Sequence, residues 1–245
     1  MVRFKELERL GVALAIMTDM ADGDCGMRGS DGESRREPLA AENAKNRWRV
    51  CTACGIRPDG LVCGKQVHGT HIALAGEADR GRGFCRGLPA FPGTDGLITL
   101  VKNLPLVLFV ADCVPVFLAD PVSGTVGLVH AGREGTLHGI AARAIKRMRQ
   151  ISGAQPEGFH VFIGPSAGPC CYEVDPPRAK AFADAGFPVR GRYLDLWNAN
   201  AIQAMEAGVP NSNIIISGEC TICTRRYYSH RRQADGSRNM VIISA

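Results

Sequence analysis

Apolar residues fall along this chain in two rhythms. Between Leu61 and Ala131 they come in short Val-, Ile- and Leu-rich runs separated by glycine and proline, among them PLVLFVADCVPVFLAD and GTVGLVHAGREG. Runs of that length with little polar alternation read as strands of a largely buried sheet. GVALAIM at 11–17, FHVFIG, NIIIS and MVIIS read as further strands. After His130 the period lengthens. Ile140, Ala144, Met148 and Ile151 share one helical face and Arg143, Arg147 and Gln150 the other, with Thr136 as the expected N-cap.

Punctuation residues predict the other helices. One runs from about Ala40 to Cys54, stopped by Gly55 with Pro58 beyond it. Asp175 followed by Pro176 marks the start of a helix to about Ala185. Leu194–Ala207 is closed by Gly208 and Pro210. Within residues 18–37, the Gly-, Asp- and Ser-rich ADGDCGMRGSDGESRRE has no apolar period and reads as a mobile loop or lid. No repeat, linker or change of composition divides the chain, so residues 1–245 are expected to form one α/β domain.

Composition narrows the class. With 45% apolar residues over 245 positions, the chain can bury a sizeable core. No apolar stretch approaches the roughly 20 residues that span a bilayer. The opening MVRFKELERLG lacks the apolar centre of a signal peptide, and a soluble cytoplasmic protein is expected. In that setting most of the ten cysteines are read as reduced. The two CxxC pairs, Cys51/Cys54 and Cys220/Cys223, lie too far apart in sequence for a zinc ribbon. Cys51 and Cys54 read as small buried apolar residues on a helix. Cys170 and Cys171 would point opposite ways if their segment is extended.

The chemistry concentrates on His68, Cys113 and His130, each at or beside the end of an apolar run. Two imidazoles and a thiolate are the ligand types that hold zinc with one position left open, a Lewis acid rather than a structural ion. His71 falls on the opposite face from His68 under strand alternation. His138 and His160 read as structural, and His230 as a substrate contact or a surface residue. The basic, tyrosine-containing TRRYYSHRR segment suits a phosphate and a base, a solvated strand face, or single-stranded nucleic acid.

Ordered motifs then carry a resemblance. Gln66-Val67-His68-Gly69, Ala111-Asp112-Cys113-Val114-Pro115, His130-Ala131-Gly132, IGPSAGPCCYEVD, LDLWNANAIQAMEAGVP and CTICTRRYYSHRRQADGSRN resemble, in the same order, segments of the YfiH-like laccase-domain family. The match runs from Ala41 to the C-terminus. The family was first described as multicopper polyphenol oxidase and later as purine nucleoside phosphorylase with adenosine deaminase activity. The resemblance implies an α/β (α+β) fold with a β-sandwich-like core flanked by helices, similar to cytotoxic necrotising factor. It also implies a zinc ion on His68, Cys113 and His130. The implied substrates are adenosine, inosine, guanosine or methylthioadenosine with phosphate, or adenosine with water.

These reactions assign candidate roles. For deamination, Asp112 and Asp95 are candidates to protonate the departing ammonia, with orientation of a histidine as the other role of Asp112. For phosphorolysis, Arg231, Arg232 and the helix N-terminus after His130 are candidates to hold phosphate, with Gln66 as a further substrate contact. This chain departs from the family at HAGREG, where HAGWRG is usual. Arg133 replaces tryptophan and Glu134 replaces arginine, so Arg133 is expected to take over the anion-binding role. Copper oxidation is disfavoured, because six scattered histidines do not supply paired copper ligands. A metal-free cysteine hydrolase with Cys113 as nucleophile and His130 as base is a second reading, and a nucleotide-sensing or RNA-binding module a third.

Overall fold

Period-two alternation sets the layers of this protein. In the strand Val114–Asp120, Phe117 and Ala119 point to one side and Val116 and Leu118 to the other, and all four are buried. A strand buried on both faces needs a layer on each side, which explains its unbroken apolar sequence. The computed structural model describes residues 1–27, 37–85 and 87–245.

The strand belongs to a sheet of six, in the spatial order Ile214–Ile216, His160–Ile163, Val114–Asp120, Thr125–Ala131, Gly96–Thr99, Ile72–Leu74. A second sheet has five strands, in the order Val2–Arg3, Leu14–Met17, Asn239–Ser244, Leu106–Val110, Val62–Cys63. The two sheets pack face to face. Ala15, Met17, Leu108 and Val241 of the five-stranded sheet meet Leu97, Phe117, Leu128 and Phe162 of the six-stranded one. Phe4, Phe117 and Phe162 stack there with centroids 4.6–5.9 Å apart. Each such fully buried side chain contributes about 1.5–3 kcal/mol.

Helices close both outer faces. Ile140–Ser152, Pro176–Asp184 and Leu196–Glu206 lay Ile145, Met148, Phe182 and Leu196 over Val116, Leu118 and Val161. Glu37–Ala53 lays Val50 and Cys51 over Ile16, Val107 and Ile242. Helix–sheet–sheet–helix is the expected mixed fold with a sandwich-like core. Among the described residues, no helix is long and apolar enough to cross a membrane.

Two local expectations are corrected. Thr136 caps nothing. A separate five-residue helix, Arg133–Leu137, begins at Gly132 and contains Thr136, and the long helix starts after Gly139 in the left-handed region. The first turn of that long helix is already served, since Ala141 N–H donates to Gln203 Oε1. The proposed lid is partly anchored. Cys25 is buried and its N–H donates to the Arg238 carbonyl, while Asp24 accepts from Asn43 and from the Arg238 N–H. The remainder of that expectation, residues 28–36, lies outside the described residues.

Candidate active site

The two connections that carry His68 and Cys113 both cross between the sheets. Residues 64–71 leave the five-stranded sheet after Cys63 and enter the six-stranded one at Ile72. Residues 111–113 make the same crossing between Val110 and Val114. His130 comes from within a strand, paired with Pro115 two residues beyond Cys113. The fold therefore delivers all three to one end of the sandwich. Their ligating atoms lie within 4.8 Å of one another, and the two imidazoles pack edge to face with centroids 4.8 Å apart.

Strain and close approach are concentrated around them. His68 has φ +61° and Asp112, directly before Cys113, has φ +82°, both in the left-handed region. A Cβ on Gly132 would sit 3.0 Å from His68 Cδ2 and 3.3 Å from Cys113 Sγ, so glycine there lets the three groups converge.

Asp95 supports the cluster from beneath. It is completely buried, and its Oδ1 lies 2.8 Å from His130 Nδ1. Its carboxylate also accepts the N–H groups of Val67, His68 and Gly69, so one side chain orients His130 and pins the His68 loop. Holding the proton on Nδ1 leaves His130 Nε2 as the free ligand atom. Burial alone would raise the Asp95 carboxyl, but the His130 contact and the N–H donors hold it below the ordinary range. Burial would likewise push the Cys113 thiol up, yet the His130 charge and the hydrogen bonds to both imidazoles bring it down to about 6. His130 is raised to about 9: Cys113 and Asp95 outweigh the effect of burial. Cys113 and His130 thus favour a thiolate–imidazolium pair.

The cluster opens into a cavity of about 1130 Å³. Phe84, Leu88, Pro89 and Phe109 give it an apolar wall, Lys65 and Arg238 supply cationic groups, and the His230 ring also lines it. No acidic residue lines it among the described residues. Neither Lys65 nor Arg238 was singled out by sequence reasoning. Lys65 directly precedes Gln66 in the first motif, which is the signal that was available.

Several expected residues sit elsewhere or are occupied. Asp112 does not face the cavity. Its carboxylate accepts from Thr221 Oγ1 at 2.7 Å, Ser229 Oγ at 3.0 Å and the Arg231 N–H at 2.6 Å, making it a brace that positions Cys113 rather than an available acid. Arg232 is also spent on structure, donating to the carbonyls of Thr221, Ile222 and Tyr227. Gln66 lines the cavity, but its amide is paired on both sides with the Phe109 backbone as if it were a neighbouring strand. Arg231 lies over the Tyr172 ring at 5.1 Å and donates to the Glu173 carbonyl. Arg133 is paired with Glu134 at 2.7 Å, outside the cavity wall. Burial raises the Tyr172 hydroxyl; the Cys113 charge adds to that, and the Arg133 and Arg231 charges oppose it. His71 faces away and meets Thr94 Oγ1 at 3.0 Å. The short Arg133–Leu137 helix replaces the long helix whose N-terminus was expected to meet phosphate.

A mixed sandwich with an open His–Cys–His cluster beside a cationic, apolar-walled cavity defines a candidate metal-dependent enzyme. Residues 35–245 match the family described as multi-copper polyphenol oxidoreductase laccase, and the chain belongs to that family. It is 40% identical over 198 residues to the purine nucleoside phosphorylase YlmD of Geobacillus stearothermophilus, covering 76% of this chain and 72% of that protein. It is 32% identical over 197 residues to the adenosine deaminase RL5 of an unknown prokaryotic organism, covering 76% and 75%. The crystal structure of YlmD from G. stearothermophilus superposes with a TM-score of 0.83 at 34% identity, covering 94% of this chain and 91% of that one.

Proposed function

We propose that this protein is a zinc-dependent purine nucleoside enzyme that cleaves adenosine, inosine or guanosine with phosphate, and methylthioadenosine likewise, with adenosine deamination as a side activity. The observation that carries the reading is the opening of His68, Cys113 and His130 into the 1130 Å³ cavity with its apolar wall and cationic groups. The curated relatives point to the same chemistry.

The donor set fits zinc. One sulfur and two imidazole nitrogens leave a tetrahedral ion with one open position, and Asp95 supplies the carboxylate–histidine support such ligands use. When bound, the ion supplies Lewis-acid polarisation at that position. Copper clusters would need more imidazoles, and of the six histidines only His68 and His130 converge.

The remaining steps belong to the chain. Phe84, Leu88 and Phe109 take the flat purine and exclude water from the sugar. In phosphorolysis a phosphate oxygen bonds to C1′ as the bond to the base nitrogen breaks, and the electron pair leaves with the base. Lys65 and Arg238 hold the dianion close to C1′. Arg231 lies over Tyr172, and Arg133 becomes available to phosphate when Glu134 lets go. In deamination, water adds at the purine C6 and ammonia leaves carrying a proton. Asp95 keeps His130 correctly turned throughout.

Incubating adenosine and inosine with the protein, with and without phosphate, and separating the products tests this directly. Adenine and hypoxanthine should form only with phosphate, and inosine should form slowly from adenosine in either case. If no nucleoside changes, the reading fails.

One observation favours a second reading. Cys113, His130 and Asp95 stand in the order nucleophile, base and orienter, so metal-free protein has the parts of a cysteine hydrolase. Activity that survives removal of metal and is abolished by alkylating Cys113 would favour it.

A further inference from the structure

Away from the cavity, four sulfurs converge from two loops. Cys170 and Cys171 sit in a turn in which the N–H groups of Cys171 and Tyr172 both donate to the Gly168 carbonyl. The segment is not extended, so the two neighbours need not point opposite ways. Cys220 and Cys223 come from a second turn, closed by Thr224 N–H donating to the Cys220 carbonyl. All four sulfurs lie within 4.8 Å of one another, with Cys170 and Cys223 at 3.9 Å. A tetrahedral zinc thiolate, with Zn–S near 2.3 Å, has sulfur–sulfur edges of about 3.8 Å. The four sulfurs are already close to that arrangement.

A backbone donor from the first loop reaches a sulfur of the second. Gly168 N–H donates to Cys220 Sγ at 3.3 Å. A backbone N–H aimed at a sulfur offsets part of the charge that a metal-bound thiolate carries. A disulfide needs two sulfurs and no such donors. The Cys51/Cys54 pair takes no part, since Cys51 is buried in the core on the Glu37–Ala53 helix.

We infer that Cys170, Cys171, Cys220 and Cys223 form a tetrathiolate zinc site that is structural and separate from the His68–Cys113–His130 cluster. Four protein ligands leave no open position, so the ion fastens loops instead of reacting. The loops it would fasten both reach Asp112. Ala167 N–H donates to the Asp112 carbonyl, and Thr221 Oγ1 donates to its carboxylate. Arg232 ties the second loop down through the Thr221 and Ile222 carbonyls. The site therefore positions Cys113 through the residue before it.

Metal content, measured on whole protein stripped with chelator and reloaded with zinc, tests the assignment. Wild type should retain about two ions, with Cys223→Ser and Cys113→Ala each losing one. If wild type holds one ion, kept in Cys113→Ala and lost in Cys223→Ser, this inference stands and the zinc at His68–Cys113–His130 fails. Cobalt loading of wild type and Cys113→Ala gives a check that does not depend on the folding of the cysteine variant. Both should show the intense thiolate-to-cobalt charge-transfer absorption of a four-sulfur site. A wild type holding one zinc that Cys223→Ser retains would overturn the inference. So would a Cys170–Cys223 disulfide found by mass spectrometry, or iron in place of zinc in the protein as purified, before stripping.

Discussion

The two halves of the candidate active site are built differently. His130 and Asp95 come from or beside paired strands, are buried, and hold each other through both backbone and side chain: His130 N–H donates to the Asp95 carbonyl at 2.7 Å, and the ring meets its carboxylate at 2.8 Å. His68 and Cys113 come from crossings between sheets, each at or beside a left-handed residue, and depend on distant segments for their position. The first half is set by sheet register and the second by side-chain braces: Asp95 for the His68 loop, Asp112 for Cys113. A strand can place a group accurately without help. A loop needs buried polar clamps, and most of the buried carboxylate chemistry near this site serves that purpose.

Substitutions can break this contrast. The largest effect is expected from His130→Ala or Cys113→Ala, each reducing nucleoside turnover to background, as measured by product chromatography. Asp95→Asn keeps the shape but removes the charge behind His130. Turnover or metal affinity should fall about 10–100-fold, the usual range for a carboxylate supporting a metal-binding histidine. If Asp95→Asn left both unchanged, the strand-borne half would not need its partner. Lys65→Ala should raise the KM for phosphate about tenfold, equivalent to losing one charge-assisted hydrogen bond, with kcat less affected.

The thiolate–imidazolium pair offers a pH test in metal-free protein. Cys113 is lowered to about 6 and His130 raised to about 9, so the pair is populated between those values. Alkylation of Cys113 by iodoacetamide should rise as the pH passes 6, well below the range of an ordinary thiol. In His130→Ala the rise should move to higher pH. A wild-type rise only near 9 would contradict the pairing.

The arginines separate the smallest effects. Arg232→Ala strips donors from three carbonyls and should cost about 1–3 kcal/mol in denaturant unfolding. Glu134→Ala should alter stability by less than about 0.5 kcal/mol, since its pair with Arg133 is partly exposed. By freeing Arg133 it should lower the KM for phosphate.

Much of this architecture was legible because burial on both faces writes itself into sequence as unbroken apolar runs. Val114–Asp120 and Thr125–Ala131 are cases in point. Asp175 before Pro176 fixed a helix start, since its side chain accepts from the Arg178 N–H as an N-cap does. Thr136 failed as a cap because Gly139, in the left-handed region, restarts the helix instead. Their places at the ends of runs marked His68, Cys113 and His130 as candidate ligands, but it was the resemblance of the ordered motifs, not the spacing, that implied their convergence. Asp95 was visible as a carboxylate, but its partner was not, because that depends on the strand register setting Gly96 opposite Val129. Arg232 and Gln66 looked available for a ligand because a sequence does not show which backbone groups a side chain will satisfy. The four-sulfur cluster was hidden for a similar reason: it requires two turns, more than 45 residues apart, to face each other.

The central claim is that the cavity beside His68, Cys113 and His130 transfers a sugar to phosphate. Phosphorus NMR of inosine, phosphate and zinc-loaded protein tests it most directly. The account predicts ribose 1-phosphate appearing in step with hypoxanthine, with no free ribose. Free ribose, or phosphate and inosine both unchanged, would contradict it.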